Sequence, residues 1–312
     1  MFWIIYKNLE KEVITLSNKI LFCDQQENVY SIYISDLLIR TAVEIEAISK
    51  ELYKVAGGNM KPVDADGNER DLMFDTDCIQ FLDLNWGITK KCVKVVCPNF
   101  YFKKEENLKL YPLKNCNKKG KGRWKKAYQA VKHDRVESLM FGNIANLLRA
   151  LAALYILNIY YRNEKFEIGT MLNTSPFDTR MGSDIFSASL IRADKYNFDK
   201  LIFKEVTEED FKSAILVQKF TDESFNNISL SLEKFKDSAK NRFATSPSVA
   251  EFLKTNPEYK FKGYLAFAKD AGGDDLMREI LQNQSIIDHI NKAEIEVIVY
   301  KGQNIYSSTE QD

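Results

Sequence analysis

The chain is poor in the residues that build metal and disulfide sites. Of its 312 residues only two are histidine, His133 and His289, and only five are cysteine, an odd number. No cysteine pair stands in Cys-x-x-Cys spacing, so a secreted disulfide scaffold and a zinc ribbon are both excluded as working readings. With so few histidines, a His-rich catalytic metal centre is not expected. Net charge is also missing: 44 basic side chains balance 44 acidic ones. Global charge therefore points to neither a nucleic acid nor a membrane. Long uninterrupted apolar runs are absent too. The most apolar stretch, Ile144 to Tyr161, is broken by Asn146, Arg149 and Asn158. A mid-span arginine is costly in lipid, so this stretch predicts a buried core helix and no membrane partner. The apolar start Met1 to Ile5 lacks a basic leader and ends by Lys7, too short for a secretory signal core. A cytoplasmic protein is expected.

What is present is an ordinary globular composition, 45% apolar and 12% aromatic, too hydrophobic for disorder. Leu9, Val13, Leu16 and Ile20 predict a helix over 8–22. Ile34, Leu37, Leu38, Thr41, Ile45, Ile48 and Leu52 predict another over 27–55, stopped at Gly57-Gly58. A loop over 59–76 leads to a short helix at 77–84 and a strand or irregular segment at 93–102, where Pro98 argues against a central strand. Trp124, Tyr128 and Val131 place a helix over 124–135, and the apolar, alanine-rich segment 137–162 is the next. After a loop at 169–182, strands are expected at 185–191 and 201–206, with a turn near 195–197. Thr207 to Asp210 read as an N-cap, with helices at 207–219, 222–243 and 274–291. Glu294 to Tyr300 alternates as a late strand, and 307–312 should be a disordered tail. The fold class is thus mainly α: a helical part over 1–165 followed by a smaller α+β part over 166–312. Gly272-Gly273-Asp274-Asp275 leads into an N-cap and is not a phosphate cradle, since no Gly-Lys-Ser/Thr follows. No cofactor is expected. His289 reads as structural, and Asp184 and Asp194 as turn or cap residues.

The clearest shift in composition lies at 114–126, where seven residues are basic and none is acidic. Lys118, Lys119, Lys121, Arg123, Lys125 and Lys126 suit a phosphate-binding loop, with Trp124 and Tyr128 available for base stacking. The same composition also suits a solvated loop. Lys132-His133-Asp134-Arg135 follows. A histidine between two cations can take a 2′-hydroxyl proton while Arg135 and Lys132 stabilise charge on a phosphate, with no metal required. Those residues equally suit an exposed helix end, where cations favour the macrodipole. Arg40 and Glu44 are spaced to pair along one helix stripe, whereas Glu44 and Glu46 diverge by about 200°.

The Lys132-His133-Asp134-Arg135 segment, followed by the apolar helix of Asn143 to Tyr161, resembles the HEPN superfamily. The early helix carrying Arg40, Glu44 and Glu46 adds to the likeness, which covers about residues 25 to 162. Where the commonest signature of that family has Arg, Lys126, Ala127 and Tyr128 stand here, and Gln129 replaces a frequent Asn. The resemblance implies a HEPN-like helical bundle that targets RNA as a homodimer, with a metal-independent ribonuclease of phage defence or a toxin system as the fullest form. His133, Arg135 and Lys132 would then be catalytic, supported by Arg40, Glu44, Glu46 and Gln129. The alternative is a non-catalytic relative that binds a nucleotide, RNA or a protein through the same bundle.

Overall fold

The computed structural model describes residues 1–193, 196–197, 202–203, 211–281 and 284–305. Its helices are α1 (Phe2–Ser17), α2 (Ile32–Val55), α3 (Gln80–Trp86), α4 (Glu105–Leu108), α5 (Arg123–His133), α6 (Arg135–Ser138), α7 (Ile144–Arg162), α8 (Asp222–Thr245), α9 (Pro247–Thr255), α10 (Tyr264–Leu281) and α11 (Gln284–Lys292). Its strands are β1 (Phe22–Cys23), β2 (Val93–Val95), β3 (Phe100–Tyr101), β4 (Lys109–Leu110), β5 (Phe166–Thr170), β6 (Phe186–Ala188), β7 (Leu190–Arg192), β8 (Tyr196–Asn197), β9 (Ile202–Phe203), β10 (Leu216–Phe220) and β11 (Glu294–Val299). The molecule is mainly α with an α+β part, as its apolar periodicities predict.

α7 is the axis of the helical part. From Ile144 to Tyr160 every residue but Arg149 is buried. It is the one helix among the described residues that is long and apolar enough to cross a membrane, and it is enclosed by protein. α1, α2 and α5 pack around it. α2 lays Ile34, Leu37, Leu38, Ile45, Ile48 and Leu52 inward. Ser31 caps this helix by accepting from the Ile34 N–H (3.1 Å), so it starts five residues later than expected. It ends where expected, with Gly57 at φ +86° and the Gly58 N–H on the Tyr53 carbonyl.

Several boundaries differ from the sequence reading. α1 begins at Phe2 because Trp3 and Tyr6 extend its inner stripe, and Ile20 lies beyond its end. The apolar segment 137–162 does not form one helix. α6 and a 3₁₀ turn (Leu139–Phe141) precede α7, whose own cap is Asn143, accepting from the Asn146 N–H at 3.0 Å. Gly142, between that turn and the Asn143 cap, allows close approach to α2: a Cβ there would lie 2.7 Å from Ser35 Cβ. Leu216–Phe220 is a strand where a helix over 207–219 is expected. Its five residues are all buried, Gln218 and Lys219 among them, and so short a segment has no period that separates strand from helix. The helix expected over 274–291 is the end of α10, kinked at Gly273, followed by α11. Within the strand expected at 201–206, Ile202–Phe203 form β9, pairing with β8 where a turn is expected. Thr207 to Asp210, Asp194 and the tail 307–312 lie outside the described residues.

The four-stranded sheet has the order β5-β11-β10-β7, with β7 parallel to β10 and the other pairs antiparallel. A three-stranded sheet, β4-β2-β6, joins strands from before and after residue 165. One hydrophobic cluster likewise runs from Tyr6 to Val299. Glu10 fastens the same junction. Buried on α1, its carboxylate accepts from Tyr6 (2.7 Å), from Ser183 and from the N–H groups of Asp184 (3.0 Å) and Ile185 (3.2 Å), and it pairs with Lys7. Farther along, Tyr160 donates to the Tyr300 carbonyl (2.7 Å).

Two stability predictions follow from this packing. Leu151 is fully buried in α7, and Leu151→Ala should cost about 2–5 kcal/mol by urea denaturation. Lys91 is 1% exposed and meets the Tyr300 ring at 4.7 Å, and burial lowers its ammonium pKa from 10.5 to about 8. Below pH 8 both folded and unfolded chains hold that proton, and the burial penalty is fully present. Between pH 8 and 10.5 the folded chain sheds it first, so stability rises with pH. Lys91→Met should therefore stabilise the protein at pH 7 by roughly 1–3 kcal/mol. Denaturation at pH 7 and again near pH 10 should show that gain shrinking.

Candidate nucleic-acid interface

The basic run divides into an inward and an outward set. Lys125 is 2% exposed. Its ammonium bonds Asp75 Oδ2 (2.7 Å) and the carbonyls of Cys116 (3.1 Å) and Lys118 (2.6 Å), beneath the Phe74 ring. It holds the loop closed from inside and is not available to a phosphate, which corrects its assignment to the binding set. Trp124 and Tyr128 are also buried, with Trp124 Nε1 donating to the Pro112 carbonyl at 2.8 Å. Neither offers a face to a base, because α5 turns both toward α7 and α2. Gly122 permits the tight entry: at φ +89°, a Cβ would meet Cys116 Sγ at 2.7 Å.

With the loop anchored this way, Lys118, Lys119, Lys121, Arg123 and Lys126 are exposed. None has a carboxylate within ion-pair distance among the described residues. Lys126, Gln129 and His133 stand at i, i+3 and i+7, so they share the outer stripe of α5. Nearby, Arg149 on α7 is half-buried. It donates to the carbonyls of Ala145 (3.0 Å) and Glu106 (2.9 Å) and to Asn107 Oδ1 (3.0 Å). Burial, and then the neighbouring Arg123, lower its pKa to about 10. It opens into a surface pocket of about 490 Å³ that it shares with Lys109 and Tyr111 and with the carboxylates Glu105 and Glu106, so the pocket carries charge of both signs.

At the other end of α5, His133, Lys132 and Arg135 do not converge within one chain. His133 is exposed, its Nε2 3.2 Å from Gln129 Oε1. Lys132 Nζ sits over the Tyr128 ring at 5.4 Å, and hydrogen bonding to Tyr128 raises its pKa. Arg135 begins α6 and pairs with Asp36 of α2 at 2.9 Å, both side chains about half exposed (48% and 47%). Asp134 causes the divergence. It leaves helical geometry (φ −144°, ψ 82°) and caps α6, so the chain turns between His133 and Arg135.

The supporting residues are rearranged as well. Arg40 pairs with Glu12 of α1 (2.9 Å) and not with Glu44. Two of its nitrogens reach the cross-helix carboxylate, and Arg40 holds the Glu12 carboxyl below its usual range. Glu44 and Glu46 are both half-buried. Glu46 stands beside Tyr128 and Lys132 and acts on their charges. Asp36 and Asp75, the carboxylates that engage Arg135 and Lys125, carry no sequence signal, because each is separated from its partner by long stretches of chain. His289 is exposed, its Nδ1 2.9 Å from Ser231 Oγ. Among the described residues no three His, Cys, Asp or Glu side chains gather as a metal-binding group. No family model, curated protein or solved structure is significantly similar to this chain.

The division of the basic run is directly testable. Lys125→Met strands Asp75 and two carbonyls, and should destabilise the protein by about 2–4 kcal/mol. Lys119→Ala, on the exposed set, should stay within about 0.5 kcal/mol of wild type in the same urea titration.

Proposed function

We propose that this is a HEPN-type RNA-targeting protein that engages the RNA backbone through the basic loop and outer stripe of α5. One observation carries the reading: five exposed cations, Lys118, Lys119, Lys121, Arg123 and Lys126, are presented together without carboxylate partners among the described residues while Lys125 fixes their loop from below. Unpaired, weakly constrained cations are what a polyanion exchanges its counterions for. The divergent heads of His133, Lys132 and Arg135 favour binding over cleavage within a single chain. The ribonuclease form of the proposal assigns cleavage to a two-fold homodimer, in which His133 of each chain is the acid–base group and Arg135 and Lys132 bind the scissile phosphate. Action in the cytoplasm, in phage defence or a toxin system, belongs to that form. A non-catalytic module that binds RNA alone is the second reading, and the separate partners of His133, Lys132 and Arg135 favour it.

Fluorescence anisotropy with a labelled single-stranded RNA tests the shared core. Five phosphate contacts should give a log–log salt slope near −3.5, at about −0.7 per contact. The triple variant Lys119→Ala, Lys121→Ala, Arg123→Ala should weaken binding and flatten that slope by about 2. No salt-dependent binding would defeat the proposal. Incubating the same RNA with the protein in EDTA then separates its two forms. Cleavage that falls about 10²–10⁴-fold in His133→Ala supports the nuclease. Binding without cleavage selects the module.

A further inference from the structure

The four-stranded sheet carries a concavity unrelated to the basic face. Ile168 of β5, Ile295 of β11, Gln218 of β10 and Leu190 and Arg192 of β7 line it together. The register explains the convergence: Arg192 stands opposite Gln218, and Leu190 opposite Leu216, so their side chains emerge on one sheet face. The loop after β5 roofs that face, bringing Thr174, Ser175 and Phe177 over it. The space beneath the loop is about 380 Å³ and open on one side, within the range of small-molecule sites. At about 30 Å³ per water-sized atom, it holds roughly a dozen such atoms.

The roof is built to stay in place. Gly169 has φ +103°, and a Cβ there would lie 2.3 Å from the Asn173 carbonyl oxygen, so the chain folds back tightly. Asn173 N–H donates to the Thr170 carbonyl (2.9 Å), Ser175 N–H to that of Ile168 (2.8 Å), and Met171 N–H to that of Ala293 (2.9 Å). Phe177 packs on Phe166 with ring centroids 5.2 Å apart. A preformed cavity loses less freedom when it is filled.

We infer that this cavity binds a small monocarboxylate with an apolar or aromatic body. Its floor of Ile168, Leu190 and Ile295, with Phe177 from the roof, takes the body. Arg192, the one cation of the lining, is exposed at the edge and has no carboxylate partner among the described residues. A guanidinium presents a planar fork that matches a carboxylate with two parallel hydrogen bonds. A single cation matches a single negative charge, so a phosphate dianion is the poorer fit. The hydroxyls of Thr174 and Ser175 stand at the same rim, with no protein hydrogen bond among the described residues.

Calorimetry and ligand-observed NMR on the full chain, with benzoate, phenylacetate and hexanoate each set against its primary amide, test this. At least one acid should bind saturably with Kd at or below about 1 mM, its amide about 10-fold or more weaker. Arg192→Gln should weaken the acid about 10- to 100-fold and leave the amide unchanged, as expected for loss of a charged hydrogen bond. Thr174→Trp, which fills the cavity from an exposed position, should abolish both. Unchanged thermal melting of the two variants shows that the fold survives. Absence of saturable binding by all three acids overturns the inference. So does an amide that binds as well as its acid, or acid binding that neither variant affects. Tighter binding of phenyl phosphate than of benzoate overturns the monocarboxylate assignment.

Discussion

The burial of α7 on all sides is the constraint from which the rest of the architecture follows. A helix that keeps one polar face needs a neighbour on one side only. α7 keeps almost none, since Ile144 to Tyr160 are buried except Arg149. Its surface has to be covered by α1, α2, α5 and the sheet-bearing part together. Burial of each large aliphatic side chain is worth about 1.5–3 kcal/mol, so the helices that surround α7 cannot be displaced singly without loss. This explains why the core passes residue 165 without interruption, and why Glu10 and Tyr160 are hydrogen-bonded across that junction.

The basic face is a consequence of the same packing. α5 must turn Trp124, Ala127, Tyr128 and Val131 toward α7 and α2. Lys125, adjacent to that stripe, is carried inward with them, and only Asp75 and two carbonyls make its burial tolerable. Its neighbours Arg123 and Lys126 are carried outward by the helical period. A run of like charge in the sequence therefore becomes two populations with opposite roles, one holding the loop and one meeting solvent. The His133 end shows the same logic. Asp134 ends one helix and caps the next, so residues two apart in sequence face Gln129 and Asp36 respectively.

The cavity of the four-stranded sheet arises differently. It depends on a glycine that lets the chain reverse after β5 and on a mixed sheet in which β7 runs parallel to β10. That combination leaves Arg192 at the rim of an apolar floor. The helical and the sheet-bearing parts thus offer surfaces of distinct chemistry, one broad and cationic, one a roofed concavity of mixed polar and apolar lining with a single positive charge.

The amino-acid order by itself determined the helices whose apolar stripes are long and regular. α2, α5 and α7 are legible from Ile34 to Leu52, from Trp124 to Val131 and from Ile144 onward, and β11 from its alternation. Local capping chemistry fixed their ends: Gly57 stops α2 as its sequence position suggests. The tertiary structure alone decided what short or two-sided segments became. Leu216–Phe220 is a strand because β7 and β11 flank it, and no periodicity within five buried residues carries that information. It also decided every pairing of charge. Asp36, Asp75 and Glu12 were not recognisable beforehand, because an ion pair between distant residues is set by which helix faces meet and not by spacing along the chain. For that reason Lys125 left the binding set, Arg40 left Glu44, and Arg192 acquired a cavity that nothing in its own sequence neighbourhood announces.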